Sequence, residues 1–69
     1  MFAQELRRLR QYAKLTQEQV ANKARVSREY VSMLESGKNV PTIDVFIRLC
    51  RAVGASPAEV ITKLERVRK

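Results

Sequence analysis

Two short segments of helical periodicity, separated only by Arg25-Val26-Ser27, constrain this chain more than any other feature of it. The first opens at Thr16, an N-cap residue type, and Gln19 stands three positions on, which completes a capping box. Val20, Ala21 and Ala24 then give it a small apolar face. The second opens after Ser27, another N-cap type, and turns Val31 and Leu34 inward, with Tyr30 beside them. Gly37 ends it, because glycine takes the left-handed position after a helix without a Cβ clash. Two short helices joined this tightly must cross steeply, which is helix-turn-helix geometry. Val26 is expected to be buried in the angle, and Ala21 and Ala24 are small enough for close approach.

The rest of the chain reads as helices placed around this pair. Phe2, Leu6, Leu9 and Ala13 form one apolar stripe, while Arg7, Arg8, Gln11 and Lys14 point elsewhere. Asn39, Val40 and Pro41 form a turn. A fourth helix starts at Thr42 with Asp44 in its first turn, where the dipole favours an anion. Ile43, Phe46, Ile47, Cys50 and Val53 supply its apolar face, and Gly54 stops it. Ser56-Pro57-Ala58-Glu59 combines an N-cap, Pro at the first helical position and a reciprocal Glu. Val60, Ile61, Leu64 and Val67 follow at helical spacing, with Lys63, Arg66, Arg68 and Lys69 near the C-terminal end of the helix dipole. No alternating pattern is long enough for a strand. The reading is all-α, a compact five-helix bundle spanning residues 1–69 as one domain, with the helix-turn-helix at about 16–38.

Charge narrows the function. Lys and Arg number 14 against 7 Asp and Glu, a formal net charge of +7, which is the electrostatic footprint of a nucleic-acid binder. With 45% apolar residues the chain is not disordered in spite of that charge. The absence of His keeps the charge nearly constant between about pH 5 and 8. The lone Cys50 excludes an internal disulfide, reads as a core residue, and suits a reducing cytoplasm. No stretch approaches the roughly 18 apolar residues of a membrane span, and the charged, periodic start is unlike a signal peptide; the expected location is cytoplasmic. An enzyme is excluded by the lack of His, of a metal-ligand cluster, of a glycine-rich phosphate loop and of a base beside Cys50. No cofactor, metal or small-molecule effector is expected.

Thr16-Gln17-Glu18-Gln19-Val20-Ala21, then Val26-Ser27-Arg28, then Leu34-Glu35-Ser36-Gly37-Lys38 resemble the phage repressor and Cro family, whose bacterial members are the Xre-type regulators. The resemblance extends over essentially the full chain and implies a lambda-repressor-like fold with the third helix in the DNA major groove. It implies base contacts from Arg28, Glu29, Ser32 and Met33. Their chemistry suits guanine or phosphate, the cytosine amine, a tolerant hydrogen bond and the thymine methyl, respectively. It implies phosphate contacts from Gln17, Ser36 and Lys38, with Asn39 as a further candidate, and an ion pair between Arg10 and Glu35. Two positions depart from the family pattern. Arg25 stands where glycine is usual, and it could offset the cost of a left-handed backbone by reaching phosphate. Thr42 and Ile43 follow Pro41, so no minor-groove arginine comes from that turn.

The expected partner is a palindromic DNA duplex bound by a homodimer, with Val60, Ile61, Leu64 and Val67 as interface candidates and plain core packing as the competing use of each. The fold also occurs in antitoxins and adaptors, so a protein-interaction module is the alternative.

Overall fold

A computed structural model describes residues 2–67, with only the backbone of Val67. The described residues form α1 (Phe2–Tyr12), α2 (Gln17–Ala24), α3 (Arg28–Glu35), α4 (Ile43–Ala52) and α5 (Pro57–Val67). Arg68 and Lys69, and the side chain of Val67 as an interface candidate, lie outside the described residues.

The start of α2 carries the full capping box: Thr16 Oγ1 accepts from Gln19 N at 3.1 Å, and Thr16 N donates to Gln19 Oε1 at 2.8 Å. Ser27 caps α3 by accepting from Tyr30 N at 3.0 Å. Two starts are weaker than the sequence implies. Thr42 makes no side-chain capping bond. Ser56 receives Glu59 N at a long 3.4 Å, without the reciprocal side-chain bond expected of Glu59.

Four helices close in the same way. A left-handed residue follows each, at Lys14 (φ 61), Arg25 (φ 62), Gly37 (φ 81) and Gly54 (φ 76). The next residue's N–H then reaches back to a carbonyl of the last turn: Leu15 to Arg10, Val26 to Ala21, Lys38 to Met33, and Ala55 to Cys50. This closure satisfies carbonyls that a helix end otherwise leaves open. Glycine serves two of the four ends, and a cationic residue takes the left-handed position at the other two.

The core has two adjoining parts. Leu6, Val20, Ala21, Ala24, Val31, Leu34, Leu49 and Val53 form the larger. Phe46, Cys50 and Val60 form the smaller, against which Phe2, Leu9, Ile47 and Leu64 pack. The rings of Phe2 and Phe46 meet at 5.3 Å and 56°, a tilted aromatic pair. Burial pushes the Cys50 thiol above its ordinary value, which makes it an inert core group. Val26 packs half-buried against the larger part rather than filling the angle completely.

Two apolar positions differ from the sequence reading. Leu49, outside the apolar stripe read from the sequence, is fully buried at 0% exposure and central to α4. Ile43, placed on that stripe, is 65% exposed, because it sits in the first turn where α4 has not yet reached the core. Val60, at 3% exposure against Phe46 and Cys50, packs in the core, one of the two uses the sequence leaves open for it.

Glu5 pairs with Arg8 one turn on in α1 at 2.6 Å, and links α1 to α5 through Lys63 at 3.5 Å. The Arg8 hydrogen bond holds the Glu5 carboxyl below its ordinary value of 4.5, despite partial desolvation. Its small stabilisation is present above that ordinary value and fades as pH falls through the lower folded one.

Arg25→Gly removes the Cβ clash of the left-handed position at some cost in unfolded-chain entropy. The expected net gain is about 0.5–1 kcal/mol, a rise of a few degrees in thermal midpoint. A lower midpoint would mean that the Arg25 side chain stabilises the folded chain.

Candidate nucleic-acid interface

The α3 helix divides its side chains sharply. Val31, Leu34 and Glu35 are buried and Tyr30 is half-buried, while Arg28, Glu29, Ser32 and Met33 are exposed. These four lie on one side because the other side is fixed by the core. Met33 is 38% exposed, an apolar group among polar neighbours.

Fixing that helix falls largely to one carboxylate. The Glu35 side chain is 1% exposed and accepts from Arg10 Nε at 2.6 Å and Arg10 Nη2 at 3.0 Å, a two-pronged pair. Arg10 Nη1 donates onward to the Leu15 carbonyl at 3.0 Å. Gln17 Nε2 donates to Glu35 Oε1 at 3.1 Å. Arg7 adds a looser contact, with Nη2 donating to the Glu35 carbonyl at 3.5 Å and Nε 3.7 Å from Oε1. One buried anion thus joins α1, the α1–α2 turn, the start of α2 and the end of α3. No buried side-chain polar atom among the described residues lacks a partner.

Two of these participants were not legible as such. Arg7 looked like a solvent-facing charge, although it stands one turn before Arg10 on the same side of α1. The family resemblance implies only a phosphate contact for Gln17, whereas its amide is tied to Glu35. That bond leaves the second amide hydrogen and the carbonyl oxygen of Gln17 unassigned.

At the other end of the face, Ser36, Lys38 and Asn39 are exposed just beyond α3. Ser36 Oγ donates to the Met33 carbonyl at 3.1 Å, and the left-handed Gly37 turns the chain so that Lys38 N reaches Met33 O at 2.9 Å. Gln17 and Arg28 line one depression together with Arg10, Leu15, Thr16 and Glu18. The starts of α2 and α3 are therefore neighbours. The capping bonds leave the first N–H groups of both helices free to face an anion. From Arg28 to Glu35 the helix rises roughly 12 Å for its eight residues, a length that suits a major groove about as wide.

Arg25 is placed apart from this set. It stands at the far end of α2 from Gln17 and shares a different depression with Lys23, Arg48 and Arg51. The structure does not bring it to the other phosphate candidates. No group of three metal-ligating side chains occurs among the described residues, and none of their helices is long and apolar enough to cross a membrane.

A sequence model of helix-turn-helix domains matches residues 1–61. Over 55 residues the chain is 40% identical to an uncharacterized HTH-type transcriptional regulator of Sinorhizobium fredii, covering 80% of this chain and 71% of that one. Among solved structures it is similar to the restriction-modification controller protein C.AhdI from Aeromonas hydrophila, with a TM-score of 0.80 and 33% identity over 84% of this chain and 88% of that one. It is also similar to the clp gene regulator ClgR from Corynebacterium glutamicum, with a TM-score of 0.86 and 29% identity over 99% of this chain and 88% of that one.

Glu35→Ala strands Arg10 in a largely buried site and removes a Gln17 bond. It is expected to cost about 3–5 kcal/mol, a large share of the stability of a chain this small. Arg10→Met combined with Glu35→Leu removes both charges and is expected to cost far less. Thermal unfolding of the single and double variants checks this; a double variant as unstable as Glu35→Ala would contradict it.

Proposed function

The chain belongs to the helix-turn-helix transcriptional regulators of the Xre, Cro and C1 type, a DNA-binding and non-enzymatic family, and we propose that it reads a palindromic operator as a homodimer. The observation that carries this reading is the exposed α3 face, held by buried Glu35 and flanked by Gln17 at one end and Lys38 at the other. On it, Arg28 forks to guanine, Glu29 accepts from cytosine, Ser32 adds a tolerant hydrogen bond and Met33 meets a thymine methyl. Gln17, Ser36, Lys38 and Asn39 grip phosphates on either side. The +7 charge adds the sequence-independent attraction.

The dimer surface follows from the second apolar feature of the molecule. Val40, Pro41, Ile43, Ile61 and Leu64 line a shallow groove with Phe2 and Phe46, and its lining holds no charged side chain. Val40 is 83% exposed, Ile43 65% and Ile61 42%. Two copies that each carry +7 repel over most of their surface, so a charge-free apolar face is where they can meet. Ile61 and Leu64 keep the interface role assigned from the sequence, Val60 gives it up to the core, and Val40 and Ile43 take its place. Pairing through this groove puts two reading helices on one duplex, with half-sites about 34 Å apart.

The likeness to a restriction-modification controller protein supports a role of the repressor or controller type; we infer that it acts in the cytoplasm, as its DNA target requires. Selection of bound sites from a random duplex library tests the whole reading. A palindrome is the expected result; the absence of any enriched site would overturn it and favour an adaptor. Arg28→Ala and Glu29→Ala are expected to change site preference with the fold intact. Lys38→Ala is expected to weaken all sequences and to lower the salt slope by about one. Ile61→Asp is expected to shift the sedimentation coefficient from dimer to monomer, with loss of operator affinity. A dimer that persists in Ile61→Asp would place the interface elsewhere.

A further inference from the structure

Lys23, Arg25, Arg48 and Arg51 line one open depression of about 320 Å³, with Ala52 as its apolar wall. It lies where α2 ends, roughly 12 Å along that helix from Gln17 by its eight-residue rise. Arg48 is anchored there, its Nε donating to the Ala24 carbonyl at 2.9 Å. Asp44 reaches Arg48 only at 4.0 Å, and its side chain is 77% exposed. Lys23, Arg25 and Arg51 form no ion pair among the described residues.

The C-terminal dipoles of α2 and α4 favour a cation or two at this place. They do not account for four cations facing one space. Nor do they account for an arginine at the left-handed Arg25, where glycine would avoid the backbone cost and the guanidinium forms no ion pair among the described residues.

We propose that this depression binds a compact polyphosphate anion, a di- or triphosphate group that is either free or carried by a nucleotide. Three guanidinium forks match phosphate oxygens in pairs, and the lysine adds a mobile point charge. The site is compact, which fits adjacent phosphates better than the spaced carboxylates of a peptide. Its lining has no aromatic side chain to stack a base, so it recognises the phosphates alone. A ligand held between Arg25 and Arg48 ties the α2–α3 turn to α4, behind the reading helix.

The test is calorimetric titration of the full chain with inorganic triphosphate and, separately, with ATP at fixed ionic strength. Arg25→Gly, which suits its backbone, and Arg51→Gln are expected to weaken binding roughly tenfold or more. Arg66→Gln removes the same charge elsewhere and is expected to change it less than about twofold, by long-range attraction alone. ATP and triphosphate are expected to bind alike. Equal losses in all three variants would reduce the site to net charge and overturn the proposal. So would saturable binding of an oligoglutamate at these residues without triphosphate binding. Loss of operator affinity in Arg25→Gly, with triphosphate binding unchanged, would instead place Arg25 on DNA.

Discussion

The orientation of α3 depends on one buried anion. Glu35 is enclosed at the end of that helix, and its carboxylate is held by both prongs of Arg10 and by the amide of Gln17. A charge taken out of water is tolerated only when fully partnered, so the arrangement is demanding. If α3 rotates or slides, Glu35 loses partners in a site that water does not reach. The network therefore sets helix register more than it adds net stability. Through Gln17 it also fixes the start of α2, which makes α3 and the first residue of α2 one rigid unit.

The helix ends complement that lock. Each of the first four helices closes through a left-handed residue whose successor bonds back into the last turn. These closures let short helices change direction within a few residues. At Gly37 the closure points Lys38 back along the exposed face. At Arg25 it makes the steep crossing of α2 and α3, with a non-glycine residue bearing the backbone cost. A helix-turn-helix built from eight-residue helices has little cooperative length of its own. Its shape comes from caps, the Ala21 and Ala24 contact, and the Glu35 network.

The order and approximate limits of the helices were legible in the sequence because local signals agree there. Thr16, Ser27, Gly37 and Gly54 mark ends by stereochemistry that neighbours rarely override. The inside of α3 was legible for the same reason, since Val31 and Leu34 leave Arg28, Glu29, Ser32 and Met33 on the opposite side. What the pattern could not give was three-dimensional partnership. Leu49 is central and Ile43 peripheral because of where α4 meets α2, and periodicity alone cannot supply that. The contributions of Arg7 and Gln17 to the Glu35 site, and the gathering of Arg25 with Arg48 and Arg51, join residues far apart in the chain. Arg10 and Glu35 were paired only through resemblance to a family.

The exposed side of α3, with Gln17 and Lys38 at its ends, is the surface proposed to meet DNA. Titration of the isotope-labelled chain with its selected operator, followed by backbone and side-chain NMR, tests this most directly. The largest shift changes are expected at Gln17, Arg28, Glu29, Ser32, Met33 and Lys38, with Lys23 and Arg51 little affected. Changes centred on α4 and α5, with α3 silent, would contradict it.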